Sequence, residues 1–361
     1  MSYGPADAID PAQIRRALVV KLRHHGDVLL ASPVIAALKR HAPQADVDAL
    51  VYADTEQMLS LHPGLSRLHL VDRQWKSRGV FARAAAEWHL YCALKQRRYD
   101  LILHLTAHPR GAWLARSLGC AHAVAPDHPG GFWKRSFTHL YPSPPHGGRH
   151  TVELNLDALR RIGIQPDEED RRLVLAPGAE AQARIEELLA AHGIAEGGFI
   201  HLHPGSRWQF KCWTPERNAA LIDRLQAGGE RVVLTAAPEE RELAFVAAIR
   251  SRCATPPVDF SGKLSLKMLA ALAGRAKLFV GVDSAPMHIA AAMGTPVVAL
   301  FGPSGETEWG PWKVPHLVVA SSRHACRPCG NDGCGGGKVS ECLASISVEA
   351  VFEAVDALLP R

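Results

Sequence analysis

The sequence predicts an α/β protein made of two doubly wound domains, each built on a parallel sheet. Three observations carry that expectation. The chain has 361 residues, 47% hydrophobic and 21% charged, which is ordinary for globular proteins and about two domains long at ~150 residues per domain. Short β-branched runs alternate with Gly, Pro or Ser turns and amphipathic helical patterns, and strands separated by helices pair in parallel through βαβ crossovers. A charged, proline-containing stretch at 165–177 then interrupts the alternation, so the two domains are expected to join near residue 170.

In the first series, 17–21 (ALVVK) reads as a strand and 27–41 has helical spacing of apolar residues. A strand at 47–52, a helix around 55–61, a helical pattern at 84–96 and a strand at 101–105 follow. The second series has strands at 199–203, 231–235, 278–282 and 296–301. Its helices fall at 215–226, 238–251, 266–275, 285–293 and 348–359. In sheets of this kind ligands sit beyond the carboxyl ends of the strands, which directs the search to loops 22–27, 203–214, 235–240 and 282–288.

Charge and composition exclude several classes. Lys plus Arg is 41 and Asp plus Glu 36, a net charge of +5; this mild excess suits an anionic substrate but forms no basic stripe for nucleic acid. Residues 1–16 contain Asp7 and Asp10 and lack the apolar core of a signal peptide. The longest apolar stretches, 278–283 and 295–301, fall well below the ~18 residues of a transmembrane helix. A cytosolic protein is expected, its eight cysteines thiols or metal ligands rather than a disulfide framework.

Neither GxGxxG after a strand nor GxxxxGK[ST] is present, so a diphosphate would need another cradle. Asp27 follows the first strand in Lys21-Leu22-Arg23-His24-His25-Gly26-Asp27, with Gly26 expected in the tight turn. Asp27 has two readings, a helix N-cap and a general base held by backbone N–H groups. In the loop His203-Pro204-Gly205-Ser206-Arg207, Gly205 and Ser206 offer N–H and hydroxyl donors to phosphate oxygens, with Arg207 and Lys211 as cations; a plain polar loop is the alternative. His201 and His203 share a strand face and form a possible metal pair.

The most specific segment runs from Val280 to Pro296. A strand ends in Asp283-Ser284, Ala285 opens a helix, and Pro286 takes a position proline favours. The helix N-terminus suits a diphosphate, and Asp283 suits sugar hydroxyls. His288 either faces the same pocket or is a buried structural residue. Cys326, Cys329, Cys334 and Cys342 lie within 17 positions, either as a tetrahedral zinc site or as reduced thiols. In the first series, His104, His108, Arg110, Lys134, Arg135 and Arg149 suggest a cationic face, and Trp75, Trp113 and Trp133 suggest sugar stacking or membrane docking; scattered surface cations and core tryptophans are the alternative.

The strings GDVLLASPVIAALK, HPGSRW, SGKLSL, VGVDSAPMHIAAAMGTPVVALFGPS and CRPCGNDGCGGGKVSECL closely resemble the lipopolysaccharide heptosyltransferases, in order, over residues 17–345. The segment 150–164 and the cysteine-rich stretch look most like the heptosyltransferase III branch. The resemblance implies a GT-B fold, two Rossmann-like domains with a cleft between them: an acceptor domain at 1–172, an ADP-heptose domain at 173–346, and a helix in 347–361 that packs back on the first domain. It implies inverting transfer from ADP-L-glycero-D-manno-heptose to a heptose of the lipopolysaccharide inner core, at the cytoplasmic face of the inner membrane.

Carried over to this sequence, Asp27 matches the catalytic base and Lys211 a contact to the donor phosphates. Glu239 matches a ribose-holding acid, Leu264 in Lys263-Leu264-Ser265-Leu266 borders the adenine, and Asp283-Ser284-Ala285 matches the donor motif. The loop from Ser206 to Lys211, which carries the bulky Trp208 and Phe210, differs in length among related enzymes. No metal or other cofactor is expected, since Lys211, Ser206 and the helix terminus at Ser284 answer the charge of the departing diphosphate. The rivals are a different heptose acceptor, as in heptosyltransferases I and II, a protein acceptor, or a sugar-nucleotide binding module without catalysis.

Overall fold

Apolar runs without alternation are the signature of strands covered on both faces, and in β1 (Arg16–Val20) residues Ala17 to Val20 are at most 1% exposed. The computed structural model describes residues 5–77, 79–143 and 148–359. The chain divides into two units, Met1–Ala176 and Pro177–Arg361.

In the first unit, β1 is joined by β2 (Asp46–Tyr52), β3 (Arg67–Val71), β4 (Leu101–His104), β5 (His122–Pro126) and β6 (His139–Tyr141). Their order is β3-β2-β1-β4-β5-β6, every pair parallel. The second unit holds β7 (Ile200–His203), β8 (Val232–Leu234), β9 (Val258–Asp259), β10 (Leu278–Val282), β11 (Val297–Phe301) and β12 (His316–Ala320). Their order, β12-β11-β10-β7-β8-β9, is again all parallel. Counted within its own unit, the first sheet has the doubly wound order 3-2-1-4-5-6, and the second has the same order read from its other edge with β7 and β10 at its centre. The switch point of such a sheet lies where the strand order reverses. That is between β1 and β4 in the first unit, and between β7 and β10 in the second.

Three expectations are corrected. The helix expected over 27–41 is two helices, His25–Leu29 and Ser32–His41, because Pro33 has no N–H to return to Leu29 and the ladder restarts. The first unit extends to Ala176 rather than 172. Asp170 is buried against Arg40 (3.0 Å) and His41 (2.8 Å), Val174 N–H donates to Ser32 Oγ (2.9 Å), and Leu175 is buried. These contacts hold 170–175 on the helix Ser32–His41. The helix Val348–Leu358, expected on the first domain, instead contributes Val351 and Val355 to the second unit's core with Trp213, Leu221 and Leu300. Trp213 Nε1 anchors the approach to it by donating to Ile346 O (3.1 Å). Residues 360–361 of the expected segment lie outside the described residues.

Candidate functional site

The first unit's switch point is built on a buried lysine. Lys21 follows β1 directly, its N–H continuing the ladder to Leu50 O (3.1 Å). Its Nζ donates to Leu105 O (3.0 Å), just past β4, and to Asn155 Oδ1 (3.0 Å). Asn155 lies on the buried face of the helix Thr151–Arg160, and its Nδ2 donates to Leu30 O (2.9 Å). Leu30 ends the helix His25–Leu29, which carries Asp27. One chain of hydrogen bonds therefore ties the Asp27 helix to β1, to the end of β4 and to a third helix. Burial pushes Lys21 down to about 8 from 10.5, against the upward pull of the Asp27 charge and with a further downward push from Arg23.

Asp27 is not the cap of its helix. His24 occupies that position without a side-chain capping bond, and Asp27 sits in the first turn with its side chain 12% exposed. The capping reading therefore falls, and a largely enclosed carboxylate remains, with Arg23 Nε 3.5 Å away. Gly26 lies inside the helix rather than in a turn.

The expected cationic acceptor face is corrected in several places. His104 is buried edge-on to Trp133 and Phe137, and burial pulls its ring down to about 4, so it is neutral near pH 7. It fills the space over Gly111, where a Cβ would lie 1.9 Å from Nε2; only glycine fits. Arg149 is held by Asp157 (2.7 Å), Arg110 by Glu87 and Lys134 by Asp127 (3.4 Å). Trp133 is a core residue whose Nε1 donates to Pro126 O (2.9 Å), and Trp75 packs partly buried against another core; Trp113 stays exposed.

In the second unit the structure brings together two residues 72 positions apart. Lys211 Nζ lies 2.6 Å from Asp283 Oδ2, the side chains 24% and 8% exposed. Lys211 ends a short 3-10 turn, Gln209–Lys211, beyond β7, and Asp283 follows β10. These strands are neighbours, with Gly281 beside His203. Ser284 caps the helix Ala285–Ala292 in extended conformation without a side-chain capping bond, and its buried Oγ has no partner among the described residues. A cation, a carboxylate, an unsatisfied hydroxyl and a helix N-terminus thus occupy one strand edge, a set suited to phosphate and polyol. Ser206 is buried, its Oγ accepting from Trp208 N–H (3.3 Å). Gly205 is approached closely by Glu242, whose Oε2 would lie 2.8 Å from a Cβ there and would have to shift to admit one. Ala285 opens the helix half-buried, and His288 is buried in its first turns.

Other expected residues fare differently. Glu239 is exposed at the N-cap of the helix Glu240–Arg250, without a capping bond. The acid that reaches into the loop is Glu242, which accepts from Ala237 N–H (3.1 Å). Leu264 packs against the core containing Phe260 and Leu272. The possible metal pair is corrected: His201 Nε2 and His203 Nδ1 both bond to Thr235 Oγ1 (2.8 and 2.9 Å). Burial pulls the rings down to about 3 and about 4, so both are neutral. Of the four clustered cysteines, Cys326, Cys329 and Cys334 are exposed and Cys342 is buried. Among the described residues no group of three or more His, Cys, Asp or Glu is placed to hold a metal ion.

Sequence reasoning missed Lys21, Asn155, Thr235 and Glu242. Lys21 had a readable signal, a charge closing a fully apolar strand. Asn155 had another, an amide on the buried stripe of Val152, Leu156 and Leu159. Thr235 and Glu242 gave none, because only the strand pairing and the loop path bring them to their partners.

Residues 88–339 match glycosyltransferase family 9 (heptosyltransferase). The chain is 38% identical over 295 residues to lipopolysaccharide heptosyltransferase 3 of Escherichia coli, covering 81% of this chain and 84% of that one. It is 36% identical over 344 residues to the protein of the same name from strain K12, covering 94% and 97%. Among solved structures, a family 9 glycosyl transferase from Veillonella parvula DSM 2008 superposes with a TM-score of 0.83 at 24% identity, covering 98% of this chain and 99% of that one. The two doubly wound sheets agree with that fold match, and by its family match and these identities the chain belongs to glycosyltransferase family 9, the heptosyltransferases.

Proposed function

We propose that the protein transfers a heptose from ADP-L-glycero-D-manno-heptose to a heptose of the lipopolysaccharide inner core, in the manner of heptosyltransferase III. The identity of 36% to lipopolysaccharide heptosyltransferase 3 across nearly the full length of both chains supports the acceptor class. The observation that carries the donor side is the Lys211–Asp283 pair beside the unpartnered Ser284 hydroxyl at a helix N-terminus.

In this reading the second unit binds the donor. Lys211, Ser206 and the helix terminus at Ser284 meet the diphosphate, and Asp283 accepts from sugar hydroxyls. The first unit supplies the base. Asp27 takes the proton of the acceptor hydroxyl as its oxygen bonds to the anomeric carbon. The bond from that carbon to the diphosphate oxygen breaks, its electron pair leaves with ADP, and configuration inverts. The developing negative charge meets fixed donors, which act without reorganisation at the moment of transfer. A lysine and a helix dipole already answer that charge, so the reaction is proposed to need no divalent metal.

The acceptor is anchored in a membrane in this reading, and the protein works at the cytoplasmic face of the inner membrane. No helix among the described residues is long and apolar enough to cross a membrane. The test is ADP release from ADP-heptose over a panel of truncated core acceptors, each with and without EDTA. Turnover on acceptors bearing the unbranched heptose, unchanged by chelation, is the expected result. ADP-heptose binding without ADP release on any acceptor refutes the enzymatic reading, and loss in EDTA restored by Mg²⁺ refutes metal independence.

A further inference from the structure

The helix Val80–Arg97 is 18 residues long, yet it buries only Leu94, near its end. Its first half stands in solvent with Phe81 91%, Val80 80% and Trp88 63% exposed. Side chains of this size seldom stay in water without a partner when they form a continuous patch. Two neighbouring helices of the same unit are tied to it and add exposed aromatic side chains of their own. Glu87 pairs with Arg110 on the helix Pro109–Leu118, and Tyr91 and Lys95 donate to Ser117 O (3.4 and 2.9 Å). Trp113, 66% exposed, meets Phe132 of the helix Gly131–Lys134 at 4.9 Å between ring centroids.

The charge on these segments has one sign. Residues 80–97, 109–118 and 131–135 carry seven lysines and arginines against one carboxylate, Glu87. Glu87 is cancelled by Arg110, and Arg97 turns inward to Asp48 (2.7 Å). Arg83, Arg116 and Arg135 are exposed on these segments, and the Arg116 guanidinium lies 5.7 Å from the centre of the Phe132 ring. From these observations we propose that the face formed by the helices at 80–97, 109–118 and 131–134 docks on a bilayer surface with anionic headgroups. The aromatic side chains enter the boundary of the acyl region, and the arginines lie at the level of the phosphates.

Charge decides between a bilayer and a second copy of the chain. A symmetric dimer through this face sets the same surplus of cations against itself, whereas anionic headgroups complement it. Exposed Trp and Phe with Arg on a helix that does not span are the features of an interfacial element. This inference deepens the reading of a membrane-anchored acceptor and rests on it only for its purpose.

The test is flotation of the whole protein with vesicles of phosphatidylcholine containing phosphatidylglycerol at about three parts in ten, against phosphatidylcholine alone. The expected result is binding to the anionic vesicles only, weakened by salt. Phe81→Ser with Trp88→Ser is expected to cut the bound fraction roughly tenfold or more. Arg83→Gln with Arg116→Gln is expected to remove most of the salt dependence. These side chains are exposed, so both double variants are expected to keep the wild-type melting temperature and its turnover of a water-soluble, deacylated acceptor. Equal flotation of Phe81→Ser/Trp88→Ser and wild type overturns the proposal. So does a wild-type dimer in sedimentation velocity that the same variant dissociates, or loss of its turnover on the deacylated acceptor. If wild type floats as expected yet turns over no acceptor, the docking face stands and the transferase reading fails.

Discussion

Replacing Lys21 with methionine separates a buried charge from its hydrogen bonds. In the folded chain burial pulls this lysine down to about 8, while the unfolded chain keeps its ordinary 10.5. Below pH 8 both states hold the proton. Between about 8 and 10.5 the native state has released it and the unfolded state has not, so wild-type stability rises with pH across that window. The full difference, from 10.5 down to about 8, corresponds to about 3 kcal/mol, of which about 2–3 kcal/mol accrues between roughly pH 7 and pH 10. The Lys21→Met variant lacks this gain. At neutral pH it loses the cost of a buried cation but leaves Leu105 O and Asn155 Oδ1 without their donor, at about 1–3 kcal/mol each. The neutral-pH change is therefore a small difference of large terms, and the pH dependence is the clean signal. Other groups, including the partly buried Lys267, also lowered to about 8, contribute equally to both proteins and cancel. Urea unfolding at pH 7, 8, 9 and 10, read on the transition that the substitution shifts, gives the difference between wild type and the Lys21→Met variant. That difference is expected to widen by about 2–3 kcal/mol toward pH 10. A flat difference refutes the account and shows Lys21 to be hydrated and charged throughout.

The remaining predictions concern the two edges and the second core. Asp27→Ala is expected to lower kcat by about 10²–10⁴ while donor affinity by calorimetry stays within about twofold; a parallel loss of donor binding refutes its role as base. Lys211→Met removes the cation beside Asp283 and leaves that carboxylate unpaired, and kcat is expected to fall roughly 10²-fold with weaker donor binding. Unchanged turnover there moves the diphosphate elsewhere. Thr235→Val takes away the hydroxyl shared by His201 and His203 and is expected to cost about 2–3 kcal/mol by denaturant unfolding. A cost near zero means that the two rings find other partners.

The parts of the fold visible in the sequence were those that physics writes locally. β1, β10 and β11 are almost wholly apolar and lie inside their sheets, so composition alone marked them. The elements that went unread are short or lie toward the edges. β6 has three residues and β9 two, and β12 begins with exposed His316 and Leu317. Their pairing comes from the neighbouring strand rather than from their own pattern. The Lys211–Asp283 edge was legible in its residue types, but the 2.6 Å approach of Lys211 to Asp283 depends on β7 lying beside β10, a fact of topology. The roles of His201, His203 and His104 were misjudged for a shared reason. Spacing shows which face of a strand a ring is on, whereas burial decides whether it is a ligand, a cation or a neutral packing group. Asp27 shows the converse, since its position inside the first turn, rather than at the cap, follows from the helix opening at His25 instead of beyond Gly26.

The pairing of Lys211 with Asp283 also bears on which visitors this edge retains. A stray phosphate or sulfate arriving there must pull the ammonium from a carboxylate rather than from water, and it leaves that carboxylate stranded. Only a molecule that carries hydroxyls beyond its terminal phosphate offers both members of the couple a new neighbour. The intact sugar nucleotide meets that condition, and the bare nucleotide left after transfer does not. On the proposed reading, the edge discriminates by exchange of partners, favouring a sugar nucleotide over inorganic anions and easing the spent nucleotide out as lysine and aspartate rejoin.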